Sequence, residues 1–374
     1  MLAAYAAGVA TGSTVAPPPA GADQPGAVLD TAAGRIAADA DHPVSRAALD
    51  AAAVRAMLAL LHDPWSAYYA PADFSGYSAL LEGRYTGVGL RLSRTADGRL
   101  LVASVEPGSP AAGSGVLAGD QLVEVGGRPV LQRSPAEVAV DLRGDVGTSL
   151  SLVVRRRAVE HRLLLRRTSF DRSDVTVQAM RGGVVRIRVA AFTRGVGRHV
   201  HTALAAARHS HARGVVLDLR GDPGGLLDEA VQTAGAFLDG GPIVSYQRRE
   251  GPPHRLDAPG HGDTTMPLTV LVDGGTASAA EVVAAALQDR HRAVVVGSRT
   301  FGKGSVQEPT RLPDGSAFEL TVGRYLTPTG RSLEGVGLEP DIEVRRGSDP
   351  GVAERRAVEV LVGLLADAPA GDRD

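Results

Sequence analysis

The sequence predicts an α/β core joined to a small β domain, α+β overall, on three observations. From Thr168 onward, short apolar runs alternate with amphipathic segments, the pattern of a largely parallel sheet covered by helices. Between Tyr85 and Thr168 the apolar period falls to two, as in half-buried strands. Aromatic residues are 4% of the chain against 44% hydrophobic overall, so the cores are aliphatic.

The elements follow in order. Residues 1–22 carry no charged side chain, and "MLAAYAAGVATG" runs into the Pro/Gly-rich "STVAPPPAGADQPG". The stretch lacks the basic start and strong apolar run of a secretory signal, and it is too short and broken to span a bilayer. Residues 1–26 therefore read as a disordered tail, or as the trailing end of a signal or anchor. Small apolar residues entering a Pro-rich stalk favour the second reading, and with it an extracytoplasmic protein with an N-terminal membrane tether.

Residues 27–83 are predicted to be a helical segment, from the three- and four-residue apolar spacing of "VSRAALDAAAVRAMLALL". Its end, "HDPWSAYYAPADFSGYSALLEG", holds the only Trp and is expected to be a packed turn and short helix. Residues 84–167 form the β domain: strands "GVGLRLSR" and "LLVASVEP", a short helix and strand in "SPAAGSGVLAGDQLVEVGGRPV", a Ser-capped helix "SPAEVAVDLRG", and a final hairpin. Residues 168–348 are the α/β core, ending in a hairpin with a Pro-Asp-Gly turn, and 349–374 a C-terminal helix and tail.

Composition excludes several functions. A net charge of −2 argues against a nucleic-acid partner. With no cysteine there are neither disulfides nor thiolate metal sites. The histidines around the helix after "RGVG" have no acidic partner at metal spacing, so no metal is expected. G-x-S-x-G is absent, and scattered acidic residues give no glycosidase pair.

One basic residue stands apart. Of the 40 Lys and Arg, only Lys303 is lysine, in "GSRTFGKGS". The stretch falls short of a phosphate-binding loop, because Gly304 replaces the hydroxyl that holds Mg²⁺ and strand signals follow where a helix is required. Arg cannot lose its proton in a protein, whereas a buried Lys can. A site that needs a neutral amine accepts Lys and rejects Arg.

Two strand-to-helix turns offer partners. In "LTVLVDGGTASAAE" the helix starts at Ser278, where the Ala279 amide and the helix dipole favour negative charge nearby. Ser278 and Glu281 also fit a helix capping box, the preferred reading on local sequence alone. In "LDLRGDPGGLLDEA", Gly224 and Gly225 can bring backbone N–H groups close to a ligand, although an ordinary turn accounts for them equally well.

Taken together, "DLRGDPGG", "DGGTASAAE", "FGKGSVQ" and "YLTPTGRSLEGVGLEPDI" resemble the C-terminal processing peptidases, or tail-specific proteases, in order and spacing over roughly residues 45–345. "DPWSAYYAP" resembles that family's segment before its PDZ domain, and "YTGVGLRL" with "GSPAAGSGVLAGDQLVEVGGRPV" resembles the PDZ domain. The resemblance implies a crotonase/ClpP-like layered core with an inserted PDZ domain. It implies Ser278 as nucleophile, Lys303 as general base and Gln307 as the residue positioning the lysine. The oxyanion hole would be the Ala279 amide with Gly224, preferred over Gly225. Asp222 stands where the family usually has Asn. Val294, Val295, Val296 and Phe301 are expected to wall the lysine and lower its pKa from the usual value of about 10.4.

The same resemblance implies that Gly87, Val88, Gly89 and Leu90 receive a chain-terminal carboxylate, so that a tail adds as a strand. Arg143 is a candidate for coupling that domain to the core. Substrates would be proteins with accessible apolar C-termini, no cofactor is needed, and a homodimer through the N- and C-terminal helices is implied. The rival readings are an adaptor that captures C-termini on an inactive core, and a crotonase-like acyl-CoA enzyme.

Overall fold

Runs of Val, Ile and Leu build the central sheet. The computed structural model describes residues 26–95, 98–106, 108–131, 133, 138, 141–171, 174–345 and 349–367. The N-terminal tail, most of the Ser-capped helix after Arg133 and the last residues lie outside the described part. Six strands lie side by side in the order Val175–Ala179, Val184–Val189, Gly214–Asp218, Leu268–Val272, Val294–Gly297 and Ile342–Glu343. The first pair is antiparallel and the remaining pairs are parallel.

Gly214–Asp218 and Leu268–Val272 are buried throughout, as strands covered on both faces must be. Alternation decides which face each side chain serves. Val215, Leu217 and Val270 pack under helices Val196–His209, Leu227–Gly235 and Ala279–Asp289. Val216 and Leu271 meet Ala357 and Leu361 of Pro350–Asp367 on the other face. Because the two central strands run parallel, their carboxyl ends emerge side by side, where open α/β sheets carry their sites.

A second, antiparallel sheet joins Ala67–Tyr69, Ala317–Leu326, Pro242–Arg248 and His254–Asp257, with Ser305–Arg311 also on Ala317–Leu326. The expected hairpin is therefore present. Ala67–Tyr69 was expected as a turn; it is a strand, paired Ala67 to Glu319 and Tyr69 to Ala317. That pairing places the Trp65 segment beside Lys303. The upstream helical pattern divides into Ala27–Asp39 and Arg46–Ala59 at Pro43, with Ser45 Oγ accepting the Ala48 N–H at 3.2 Å. No described helix is long and apolar enough to cross a membrane.

The β domain has its own core, with Val88, Val102, Leu122, Val125, Leu152 and Leu165 among its buried residues. Its sheet runs in the order Leu90–Arg94, Leu100–Val105, Gln121–Val125, Ser149–Arg156, Val159–Arg166. The chain enters and leaves through one two-stranded ribbon, Arg84–Gly87 against Thr168–Asp171. At its foot Arg194 donates its N–H to Leu81 O at 2.8 Å, and its guanidinium forks onto Glu82 at 2.6 Å.

Candidate active site

Ser278 stands where strand Leu268–Val272 has turned into helix Ala279–Asp289. Its φ is 54° and ψ −120°, a conformation that costs a non-glycine residue about 1–3 kcal/mol. The strain is held by Glu281, which is fully buried. The Ser278 N–H donates to Glu281 Oε2 at 2.9 Å, the carboxylate half of the capping box. The carboxylate does more than cap. The Lys303 N–H donates to the same oxygen at 2.9 Å, the Gly302 N–H to Oε1 at 2.8 Å, and the Thr300 hydroxyl also to Oε1. Hydrogen bonds to a charged group contribute about 1.5–3 kcal/mol each, so this carboxylate offsets the strain and fixes the serine turn to the lysine loop.

The turn after Gly214–Asp218 packs directly on Ser278. A Cβ on Gly224 would lie 2.8 Å from Ala277 O and 2.9 Å from Ala279 N, so only glycine fits. The Ala277 N–H donates to Asp222 O at 2.9 Å and Thr276 Oγ1 donates to Leu219 O at 2.8 Å, joining the two turns. The donor expected at this turn is Gly224. Its N–H is spent on Asp222 Oδ1 at 2.8 Å. Gly225 is bracketed instead: Phe192 N–H donates to Gly224 O at 2.9 Å and Leu226 N–H to Phe192 O at 2.7 Å. Among the described residues, the Gly225 and Ala279 N–H groups have no acceptor.

Lys303 is half-buried. Its Nζ lies 4.7 Å from the centroid of the Trp65 ring, a cation–π contact. Trp65 in turn meets Phe301 edge-on at 6.0 Å. Asp63 shapes this segment, accepting the Trp65 N–H at 3.1 Å and the Ser66 hydroxyl at 2.5 Å. Burial pushes the lysine below its usual pKa, against the opposing charges of Glu319, Glu334 and Asp63. The walls differ from those expected. Val294, Val295 and Val296 pack into the two core layers of the sheet, Phe301 is largely exposed, and the ring on the ammonium is Trp65.

No hydrogen bond joins Ser278 Oγ to Lys303 Nζ among the described residues, although Glu281 holds their backbones together. Gln307 lies on strand Ser305–Arg311 and, among the described residues, makes no hydrogen bond to the lysine. Its Nε2 donates to Ser305 Oγ at 2.8 Å and Thr321 Oγ1 at 3.2 Å, leaving its Oε1 as an acceptor. Trp65, Ser305, Leu320, Thr321 and Glu334 line an open groove on this side. Sequence reasoning named Ser278, Lys303 and both glycines, read Glu281 only as a cap, and missed Trp65.

In the β domain, the Val88 carbonyl accepts the Ala111 N–H and the Gly89 carbonyl the Glu106 N–H, each at 2.9 Å. The Val88 and Gly89 N–H groups have no acceptor among the described residues. Gly89, at φ 81°, is held so close to Ser109 that a Cβ would lie 2.1 Å from that side chain. Leu90 starts the next strand, and Arg143 pairs through its backbone with Gly87, its side chain exposed.

The chain was compared with known families and proteins. Residues 183–344 match the family model described as peptidase family S41, and residues 101–156 match that of the PDZ domain. The chain is 36% identical over 306 residues to a carboxy-terminal-processing protease of Bartonella bacilliformis, covering 79% of this chain and 69% of that protein. It is 31% identical over 293 residues to the carboxy-terminal processing protease CtpA of Bacillus subtilis, covering 78% and 63%. A solved photosystem II D1 C-terminal processing protease superposes with a TM-score of 0.54 at 30% identity, covering 85% of this chain and 88% of that one. The chain thus spans between about three-fifths and about seven-tenths of the length of the curated relatives it matches. On these likenesses, over a layered core with an inserted β domain, the chain belongs to the C-terminal processing serine proteases of peptidase family S41.

Proposed function

We propose that this protein is an endopeptidase that hydrolyses peptide bonds with Ser278 as nucleophile and Lys303, in its neutral form, as general base. The observation that carries the reading is the Glu281 carboxylate, one oxygen of which holds both the Ser278 and the Lys303 N–H. Ser278 Oγ attacks the carbonyl carbon while Lys303 Nζ takes its proton. The carbonyl oxygen becomes an oxyanion that the Ala279 and Gly225 N–H groups stabilise. The amine product leaves with a proton from Lys303, and water hydrolyses the acyl-enzyme. For this the lysine side chain swings from Trp65 to Ser278, an adjustment usual between free and substrate-bound sites. Gln307 Oε1 is the acceptor that steadies it there.

Substrates in this reading are proteins with accessible apolar C-termini. The Val88 and Gly89 N–H groups receive the terminal carboxylate, and the tail adds beside Leu90–Arg94. The test is digestion of an unfolded protein with a free apolar C-terminus by wild type, Ser278→Ala and Lys303→Arg, all checked for folding. Cleavage by wild type alone supports the dyad, and an amidated substrate terminus should raise KM more than it lowers kcat. Equal cleavage by Lys303→Arg would refute the lysine's role. A folded wild type that binds tails without cutting would favour the adaptor.

A further inference from the structure

Two aspartates at the end of one strand are both fully buried, yet their surroundings are opposite. Asp218 and Asp222 are each 0% exposed. Asp218 is met by guanidinium groups on both oxygens: Arg220 Nε on Oδ1 at 2.8 Å, Arg220 Nη2 on Oδ2 at 2.7 Å and Arg188 Nη1 on Oδ2 at 3.3 Å. Burial opposes its ionisation, but the Arg220 hydrogen bonds and both arginine charges outweigh it, and the carboxyl stays below its usual range. Asp222 has nothing comparable. Oδ1 accepts one backbone N–H, from Gly224, and Oδ2 is buried with no hydrogen-bond partner among the described residues. Burial pushes this carboxyl well above the usual range; the Gly224 N–H opposes that, Asp174 adds to it, and Arg188 opposes it from a distance.

An ionised Asp222 would leave an anionic oxygen in the interior with neither donor nor cation, a costlier state than an unpaired neutral group. Among the described residues, the arginines at this strand end, Arg188 and Arg220, pair with Asp218, and Arg188 also donates to Arg220 O at 2.9 Å. Among the described residues, three acidic groups also stand around the turn: Asp174, which accepts the Thr193 hydroxyl, Asp273, which accepts the Gly221 N–H, and Glu281 behind Ser278.

We propose that Asp222 stands in the folded protein at neutral pH as an uncharged carboxylic acid, an oxygen analogue of Asn, and that in this form it positions the Gly224–Gly225 turn. Its Oδ1 draws the Gly224 N–H away from the site, and its main-chain oxygen ties the turn to Ala277. What remains as the proposed donor is the Gly225 amide, which has no acceptor among the described residues, with no negative charge set behind it. Ionising Asp222 would oppose the oxyanion that Gly225 is placed to stabilise, so this part rests on the peptidase reading. The sign follows: a raised carboxyl is neutral below its folded pKa, so activity is kept there and lost as pH rises through it.

The test compares wild type with Asp222→Asn, which cannot titrate there. The infrared difference spectrum between the two, at neutral pH, should show a protonated carboxyl carbonyl band in wild type that fades at alkaline pH. Absence of that band overturns the proposal whatever the enzyme does. In kcat/KM profiles wild type should fall by about tenfold or more on the alkaline side, and Asp222→Asn should hold its plateau. A band present with identical alkaline profiles overturns the positioning role. If neither protein cleaves any substrate, the peptidase reading fails, and the infrared band alone decides the state of Asp222.

Discussion

The two halves of the candidate site are built differently. The half proposed to carry the nucleophile is backbone held from behind: a strained Ser278, the glycine turn pressed on it, and a buried carboxylate under both. The half proposed to carry the base is one half-buried side chain lying on an aromatic ring, among three carboxylates that, among the described residues, share no hydrogen bond with it. Donors that stabilise a developing charge must be fixed before the reaction, or reorganisation consumes their advantage. A base must instead meet its proton, take it and return it, which a flexible stem allows. The site is thus preorganised on one side and adjustable on the other.

The sharpest way to break this contrast is to remove the group common to both halves. Glu281→Gln has one acceptor oxygen where four donors converge, and it brings donors of its own. It should cost about 3 kcal/mol in urea unfolding and lower kcat/KM by roughly a hundredfold or more. A variant with wild-type stability and activity would show that the halves do not depend on the carboxylate. Trp65→Ala touches only the adjustable half. It exposes the ammonium, so the lysine's pKa should rise toward its usual value. Because activity grows with the neutral fraction, the acid limb of kcat/KM should shift to higher pH, with a loss of up to about tenfold at neutral pH and little change in stability. An unmoved limb would mean that the ring does not set the lysine's state. The smallest effect is expected for Glu319→Gln, which removes one opposing charge while Tyr69, whose hydroxyl reaches Glu319 at 2.9 Å, keeps an acceptor. The limb should move the other way, toward acid, with a gain of about twofold at neutral pH. A shift to higher pH would show that Glu319 does not raise the lysine's pKa.

Ser278 and Lys303 were both legible in the sequence, and the contacts that hold them were not. Apolar runs ending in glycine turns foretold both strand ends, because burial on two faces leaves an unbroken hydrophobic signal. S-x-x-E marked the helix start at Ser278. Local spacing could not reveal that the same glutamate reaches Thr300, Gly302 and Lys303, which follow the neighbouring strand Val294–Gly297. Nor could it reveal that the Asp222 side chain captures the amide of Gly224. Trp65 was missed for a similar reason. Its strand pairs with residues some 250 positions later, and a three-residue strand carries almost no periodicity of its own.

The ribbon that joins the β domain to the core has a mechanical consequence. Both strands run from the core to the β domain, so a pull along the ribbon is carried by two extended backbones, while bending and twisting meet little opposition. A load on the Val88–Gly89 loop, which directly follows the ribbon, therefore reaches the core as tension rather than as torque. The tension arrives where Leu81 and Glu82 grip Arg194, two residues from Phe192, whose backbone clasps both neighbours of Gly225. The β domain is thus free to tilt while its distance from the core is held.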